Sequence, residues 1–297
     1  MLVQRRPMSE SSTADLQHQC VSHAISQVGI DYTDIWHIPR EHAMQWLRYL
    51  QDGKVMTGVL EQQTVHEHGG ALFETFKPTG NTVAADGLQW LPPCMPGKII
   101  GLWNNFRAAA EKNGWSAPTE PLYFMKSPGA AAGHQQAIAV PSSYPGRVVF
   151  EGELVLVMGT TARQVTVQNA PQHIFGYTCG NDVTALELIH RDASFPQWTR
   201  AKSFDGFAAF GPVIDTDFDA ENGHLRTLVD GRERQNYAFS DMFFSPAQIV
   251  SHLSHDMTLE PGDLIYCGTS LGVLPMKAGA TVEVLIDGIG TLSNRYG

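Results

Sequence analysis

The chain is short of cysteine and of positive charge, and it has no long apolar run. Its 297 residues include four cysteines, at positions 20, 94, 179 and 267, with no Cys-x-x-Cys spacing. That argues against a disulfide framework or a zinc site and for buried thiols in a reducing cytoplasm. Lysine and arginine total 20 against 30 acidic residues, a formal net charge of −10. A nucleic-acid partner needs a basic surface, so this balance argues against one. It leaves room for a small anionic substrate, which a few local cations can bind. No stretch approaches the ~18 to 20 apolar residues of a membrane span. Met1–Pro7 lacks the apolar core of a signal peptide, so a cytoplasmic location is expected. Fixed-period repeats and low-complexity tracts are also missing. No GxGxxG, Walker A or G-x-S-x-G motif stands where its mechanism requires it.

What remains is a globular composition, 43% hydrophobic and 17% charged, long enough for a large core. Residues 1–43 read as an extension, partly mobile, with a short helix over Ala14–Val28 that Ser12 or Thr13 caps and Gly29 ends. Residues 44–95 read as a small β-rich subdomain. Its first hairpin joins Trp46–Leu50 to Val55–Leu60 through Asp52-Gly53, a two-residue turn signal. The Pro-rich break Leu91–Gly97 leads into a main body over 98–297. There a short strand at Lys98–Leu102 precedes a helix over Phe106–Asn113 that stops at Gly114. Strands dominate afterwards, and Ala280–Tyr296 reads as a closing hairpin around Asp287-Gly288. The strands do not alternate regularly with helices, which disfavours Rossmann and TIM-barrel folds.

Glu151-Gly152-Glu153 interrupts the very apolar segment Val148–Met158, which reads as one β-strand. Alternation along a strand points residues 151 and 153 the same way, roughly 7 Å apart at Cα. Two carboxylates on one buried face are costly unless their charge is cancelled. No Lys or Arg lies within the run. A divalent cation would cancel it, and oxygen ligation favours Mg²⁺, Mn²⁺ or Ca²⁺. The other reading is an edge strand with one solvated face.

Downstream, Gly176–Ala185 ends its apolar part at Asn181-Asp182. Asp182 is either a third carboxylate or a helix N-cap. Lys202, within Gln197–Asp205, is either a surface charge or an ammonium that meets an anionic group. Cys267-Gly268-Thr269-Ser270 lies near the C-terminus. With Phe124–Pro128, Met276–Gly279 and Ile286–Leu292, these blocks stand in an order that resembles the fumarylacetoacetate hydrolase family. The resemblance covers about 98 to 297, and residues 44–95 resemble the small subdomain many members carry.

The resemblance implies an α+β fold, a mixed β-sandwich roll with flanking helices, in a homodimer. It implies Mg²⁺ or Mn²⁺ on Glu151, Glu153 and Asp182, and Lys202 as the active-site lysine. Gly268 and Thr269 match the turn that contacts the substrate carboxylate, and Lys126 matches a lysine near the pocket. The substrate is then a small 2-oxo acid or 1,3-dicarbonyl compound, as in aromatic-compound breakdown. An enolate would form beside the metal and Lys202.

One block departs from the family. The lid segment after the first core strand usually carries a His–Glu pair that activates water. Here Gly101–Lys112 contains no histidine. Glu111 remains as a candidate base and Arg107 as a second carboxylate binder, or both are solvated residues of an ordinary helix. His134, in the Gly-rich loop Gly129–His134, is a further candidate base or an exposed residue with no role. His66 and His68 are expected at the surface. The expected reaction is C–C bond hydrolysis. Decarboxylation or enol–keto isomerisation with the same metal and lysine is the alternative, and a binding protein without turnover is a third.

Overall fold

A computed structural model describes residues 44–297. The extension 1–43, with the helix expected over Ala14–Val28, lies outside the described residues.

The first hairpin follows from its turn. Asp52 and Gly53 both have positive φ, 50° and 73°, as a two-residue turn between twisted strands requires. Gln45–Gln51 thereby pairs with Lys54–Glu61, and Thr64–Gly70 and Phe76–Ala84 continue the meander. Gln45 and Trp46 also pair with Asp215 and Ile214, so these strands extend the main sheet. That sheet continues through Ala208–Asp215, Ile174–Asp182, Gly152–Met158, Leu264–Tyr266, Ile99–Trp103 and Leu122–Lys126. It is mixed: Leu264–Tyr266 runs parallel to Ile99–Trp103, while most other pairs are antiparallel.

A second sheet orders Arg232–Ala238, His224–Val229, Thr281–Ile286, Gly290–Tyr296 and Ala137–Ile138. Thr281–Ile286 alternates strictly, with Val282, Val284 and Ile286 buried, as a strand with one covered face should. Val284 and Ile286 share a core with Leu154, Leu156, Cys179 and Val213 of the main sheet. Fully burying each large aliphatic side chain contributes roughly 1.5–3 kcal/mol, so this interface holds the two sheets as a sandwich. The expected α+β fold, a mixed β-sandwich with flanking helices, is the observed one.

Short helices flank the sheets. Arg107–Asn113 ends at Gly114, whose φ of 69° closes the last turn, as the sequence predicts. Pro246–Asp256 starts with a reciprocal capping box between Ser245 and Gln248 and buries Ile249, Val250 and Leu253. The closing hairpin forms between Thr281–Ile286 and Gly290–Tyr296. Cys94, Cys179 and Cys267 are free, buried thiols. Burial pushes Cys94 and Cys179 up to about 12, which suits structural thiols.

Candidate active site

The segment 148–158 is not one strand. Val148–Val149 pairs with Thr184–Ala185 in a separate two-stranded ladder, and Gly152–Met158 joins the main sheet. Glu151 sits at the break. The strand Gly152–Met158 is flanked on both sides, by Ile174–Asp182 and Leu264–Tyr266, and is buried throughout. The edge-strand reading therefore fails, and the continuous apolar run is what a doubly covered central strand requires. Gly152 is needed at the break, since a Cβ there would meet Thr227 Oγ1 at 2.1 Å.

Register builds the acidic cluster. Gly152 pairs with Asn181 and Glu153 with Gly180, so Asp182 ends its strand beside Glu151. The Asp182 N–H donates to the Glu151 carbonyl at 2.8 Å. Asp182 caps no helix. Its carboxylate instead accepts from Lys126 Nζ and, at 2.5 Å, from Lys202 Nζ. Ligand oxygens of Glu151, Glu153 and Asp182 lie within 4.8 Å of one another.

Lys202 caps the short helix Trp198–Ala201 and is buried rather than a surface charge. It donates to Glu151 Oε2 at 2.9 Å and stands 4.8 Å over the Phe124 ring. Burial works against its charge, but Asp182, Glu151 and Glu153 outweigh burial and hold its pKa above the ordinary lysine value. Lys126 lies on the other side of Asp182, also bonded to the Val183 carbonyl. Burial pulls its pKa down, with Asp182 opposing and Lys202 adding to the fall. Asp182 is held low because its two lysines overcome its burial.

Glu153 has no such partner. Gly268 N–H donates to Oε2 at 2.7 Å, and no protein group hydrogen-bonds the buried Oε1. Burial, then Asp182 and Glu151, pushes its pKa well above the ordinary range. Glu151 is raised by burial against the pull of Lys202. In formal charges, three carboxylates face two ammoniums, leaving one negative charge unbalanced. An all-oxygen set with an unpartnered buried oxygen and surplus negative charge fits a hard divalent cation such as Mg²⁺ or Mn²⁺.

Apart from Thr269, the supporting contacts come from residues to which the sequence assigns no role. Thr184 Oγ1 donates to Glu151 Oε1 at 2.7 Å, and Asn181 Oδ1 accepts from the Glu151 N–H at 3.1 Å. Gln235 accepts from the Gly152 N–H at 2.9 Å and donates to Thr269 Oγ1 at 2.8 Å. Thr269 in turn donates to the Gly152 carbonyl at 2.9 Å. Gln235 belongs to a different sheet, and no local motif announces it.

A cavity of about 1080 Å³ opens onto Glu151, Thr184, Lys202 and Thr269. Gly268 lies behind it, holding Glu153. Glu111 is exposed and is not part of the wall. Arg107 donates to the Met242 carbonyl and lies 5.0 Å from the Phe243 ring, pinning that loop. His134 is half-buried against Trp90, at 5.3 Å, and its Nδ1 accepts from the Ser293 N–H at 3.1 Å. His68 is not a free surface residue but packs 4.9 Å from Trp46. The imidazole in the cavity wall is His190, which sequence reasoning misses because it stands in no motif.

Arg107→Ala is expected to lower stability by about 1 kcal/mol, the worth of a typical hydrogen bond, and to leave KM unchanged. Thermal melts and steady-state kinetics check this. A raised KM would instead make Arg107 a substrate ligand.

The family model described as Fumarylacetoacetate (FAA) hydrolase C-terminal matches residues 98–296. One described as Rv2993c-like, N-terminal, matches residues 44–93. Oxaloacetate tautomerase YisK of Bacillus subtilis is 36% identical over 211 residues, covering 67% of this chain and 69% of its own length. The 4-hydroxyphenylacetate degradation bifunctional isomerase/decarboxylase of Salmonella dublin is 34% identical over 207 residues, 69% of this chain and 48% of that protein. The crystal structure of 2-hydroxyhepta-2,4-diene-1,7-dioate isomerase from Mycobacterium marinum gives a TM-score of 0.78 at 35% identity, over 85% of this chain and 98% of that one. No helix among the described residues is long and apolar enough to cross a membrane.

Proposed function

The chain belongs to the fumarylacetoacetate hydrolase family, and on that premise we propose that it is a divalent-metal-dependent enzyme that interconverts the enol and keto forms of a small 2-oxo acid. The observation that carries this reading is the position of Lys202. Its ammonium bridges Glu151 and Asp182 and also lines the cavity. Negative charge that develops on an oxygen in that cavity meets a fixed cation in a site of low dielectric. Such preorganised stabilisation often accelerates a reaction more than any other single effect.

Glu151, Glu153 and Asp182 would hold Mg²⁺ or Mn²⁺, which supplies Lewis acidity toward a chelated oxo-carboxylate when bound. Every other part of the reading concerns the chain's own groups. Lys202 Nζ keeps its proton because three carboxylates surround it, so it acts as a fixed charge rather than as a base. Gly268 and Thr184 fix the orientations of Glu153 and Glu151. His190 in the wall is the candidate proton relay at the carbon that changes hybridisation.

The hydrolysis expected from the sequence also needs an oriented water nucleophile. Among the described residues, no carboxylate hydrogen-bonds an imidazole in the cavity wall to activate one. Tautomerisation needs only the enolate site and a proton relay, and two of the relatives named above are a tautomerase and an isomerase. Decarboxylation stands second, since it passes through the same enolate and the Salmonella dublin relative carries that activity in its name. The test is to add Mg²⁺ and the enol forms of phenylpyruvate and oxaloacetate, and to follow products by NMR. Accelerated loss of enol signal with only the keto acid formed supports the proposal. CO₂ or two carbonyl fragments appearing at the same rate would replace it with decarboxylation or hydrolysis.

A further inference from the structure

The wall of the cavity beyond Lys202 is aromatic. Phe124, under the Lys202 ammonium, stacks on Trp198 at 5.3 Å with only 18° between the rings. Trp198 lies 6.3 Å from Trp103, and Trp103 lies 4.8 Å from Trp115, which is 40% exposed. The rings thus form a continuous path from the ammonium to solvent. Leu186 and Ile189 also line this cavity.

Cations are scarce along this path. Lys202 is already engaged by Glu151 and Asp182. Lys112 also lines the cavity, at its exposed end near the close of the helix Arg107–Asn113, and offers a single flexible ammonium rather than a planar fork. No arginine lines the cavity among the described residues. The arginines nearest in sequence to the wall are engaged elsewhere: Arg191 lies 5.6 Å from the Tyr144 ring, Arg200 donates to Gln197 Oε1 at 3.1 Å, and Arg107 is committed to Met242 and Phe243. A second carboxylate on the substrate would be desolvated there without the bidentate partner that normally holds one.

Resting on the enolate reading above, we propose that the substrate is a 2-oxo acid with a single carboxylate and an apolar, preferentially aromatic, tail. The oxo-carboxylate end meets Glu151, Lys202 and Thr269, and the tail runs along Phe124, Trp198 and Trp103. This differs from the dicarboxylates in the names of two relatives, oxaloacetate and a 1,7-dioate.

Three inert probes separate the ends of the molecule: oxamate, N-phenyloxamate and N-oxalylglycine. Each is titrated into the Mg²⁺-loaded full chain by calorimetry, with tryptophan fluorescence as a second readout. N-Phenyloxamate is expected to bind ~10-fold or more tighter than oxamate, the gain from burying a phenyl ring, and to quench fluorescence. N-Oxalylglycine is expected to gain nothing over oxamate. In Leu186→Arg, the preference between the two substituted probes should reverse, which a general loss of fold would not produce. If oxamate binds but N-oxalylglycine is the tightest probe, or the phenyl group adds nothing, the tail assignment falls and the enolate reading stands. If oxamate itself does not bind, the enolate reading falls and takes this inference with it.

Discussion

Replacing Glu153 with Gln is expected to abolish Mg²⁺ binding and turnover while leaving the metal-free protein at least as stable as the parent. The carboxylate is fully buried, with one oxygen on Gly268 N–H and the other without a partner. Without a cation, burial and its acidic neighbours make the charged form costly. An amide keeps the Gly268 contact, removes the buried charge and sets an N–H₂ beside the Glu151 and Asp182 carboxylates, which can accept from it, so the fold loses nothing. The metal loses one of three charged ligands. Affinity should drop by more than ~100-fold, beyond the loss that merely supporting residues cause.

The pH dependence has a definite sign. A carboxyl whose folded pKa lies above its unfolded value adds stability below about pH 4.3, and that contribution is lost as pH rises through the folded value. Metal-free parent should therefore lose stability relative to Glu153→Gln as pH rises above 5, and the gap between their melting temperatures should widen. Asp182 has the opposite sign, since its lowered pKa adds stability above the unfolded value and is lost on acidification. That contribution is common to both proteins and largely cancels in the difference. Thermal melts from pH 5 to about 8, with and without Mg²⁺, read both effects. A metal-free variant much less stable than the parent would contradict this account of the site.

Lys202→Met should separate catalysis from metal binding. The variant keeps all three carboxylates and loses one competing cation, so Mg²⁺ binds at least as well. Turnover should fall by ~10²- to 10³-fold, the usual loss when one preorganised donor to developing charge is removed. Without metal the variant leaves Asp182 with Lys126 alone and Glu151 with no ammonium. Breaking a buried ion pair costs about 3–5 kcal/mol, so its metal-free melting temperature should drop and Mg²⁺ should restore more of it than in the parent. An unchanged rate would remove Lys202 from the mechanism.

Much of this was legible in the sequence because it depends on local chemistry. Asp52-Gly53 specifies its hairpin through positive φ, and Gly114 ends its helix for the same reason. The apolar run around Glu151 and Glu153 announces a buried acidic pair, because nothing else in the chain sets carboxylates among so many aliphatic residues. The break at Glu151 was not legible. It arises because Val148–Val149 pairs with Thr184–Ala185, and strand partners are chosen by tertiary packing. Gln235 and Thr184 were missed for a related reason. Each reaches the site from a distant segment, and a lone polar residue carries no sign of its target. Arg107 shows the converse, since a charge in a lid segment suggests a ligand whereas here its fork holds the Met242 carbonyl. The aromatic wall needs Trp103, Trp115, Phe124 and Trp198 in one place, and no spacing in the chain brings them together.

The most direct measurement is a calorimetric titration of chelator-stripped protein with Mg²⁺, first alone and then with oxalate, a mimic of a 2-oxo acid enolate. The account predicts stoichiometric Mg²⁺ binding that tightens when oxalate is present, because chelate and cation share Glu151, Glu153, Asp182 and Lys202. Absence of Mg²⁺ binding in both titrations would mean that the buried carboxylates serve some other purpose, and the enolate chemistry built on them would fall.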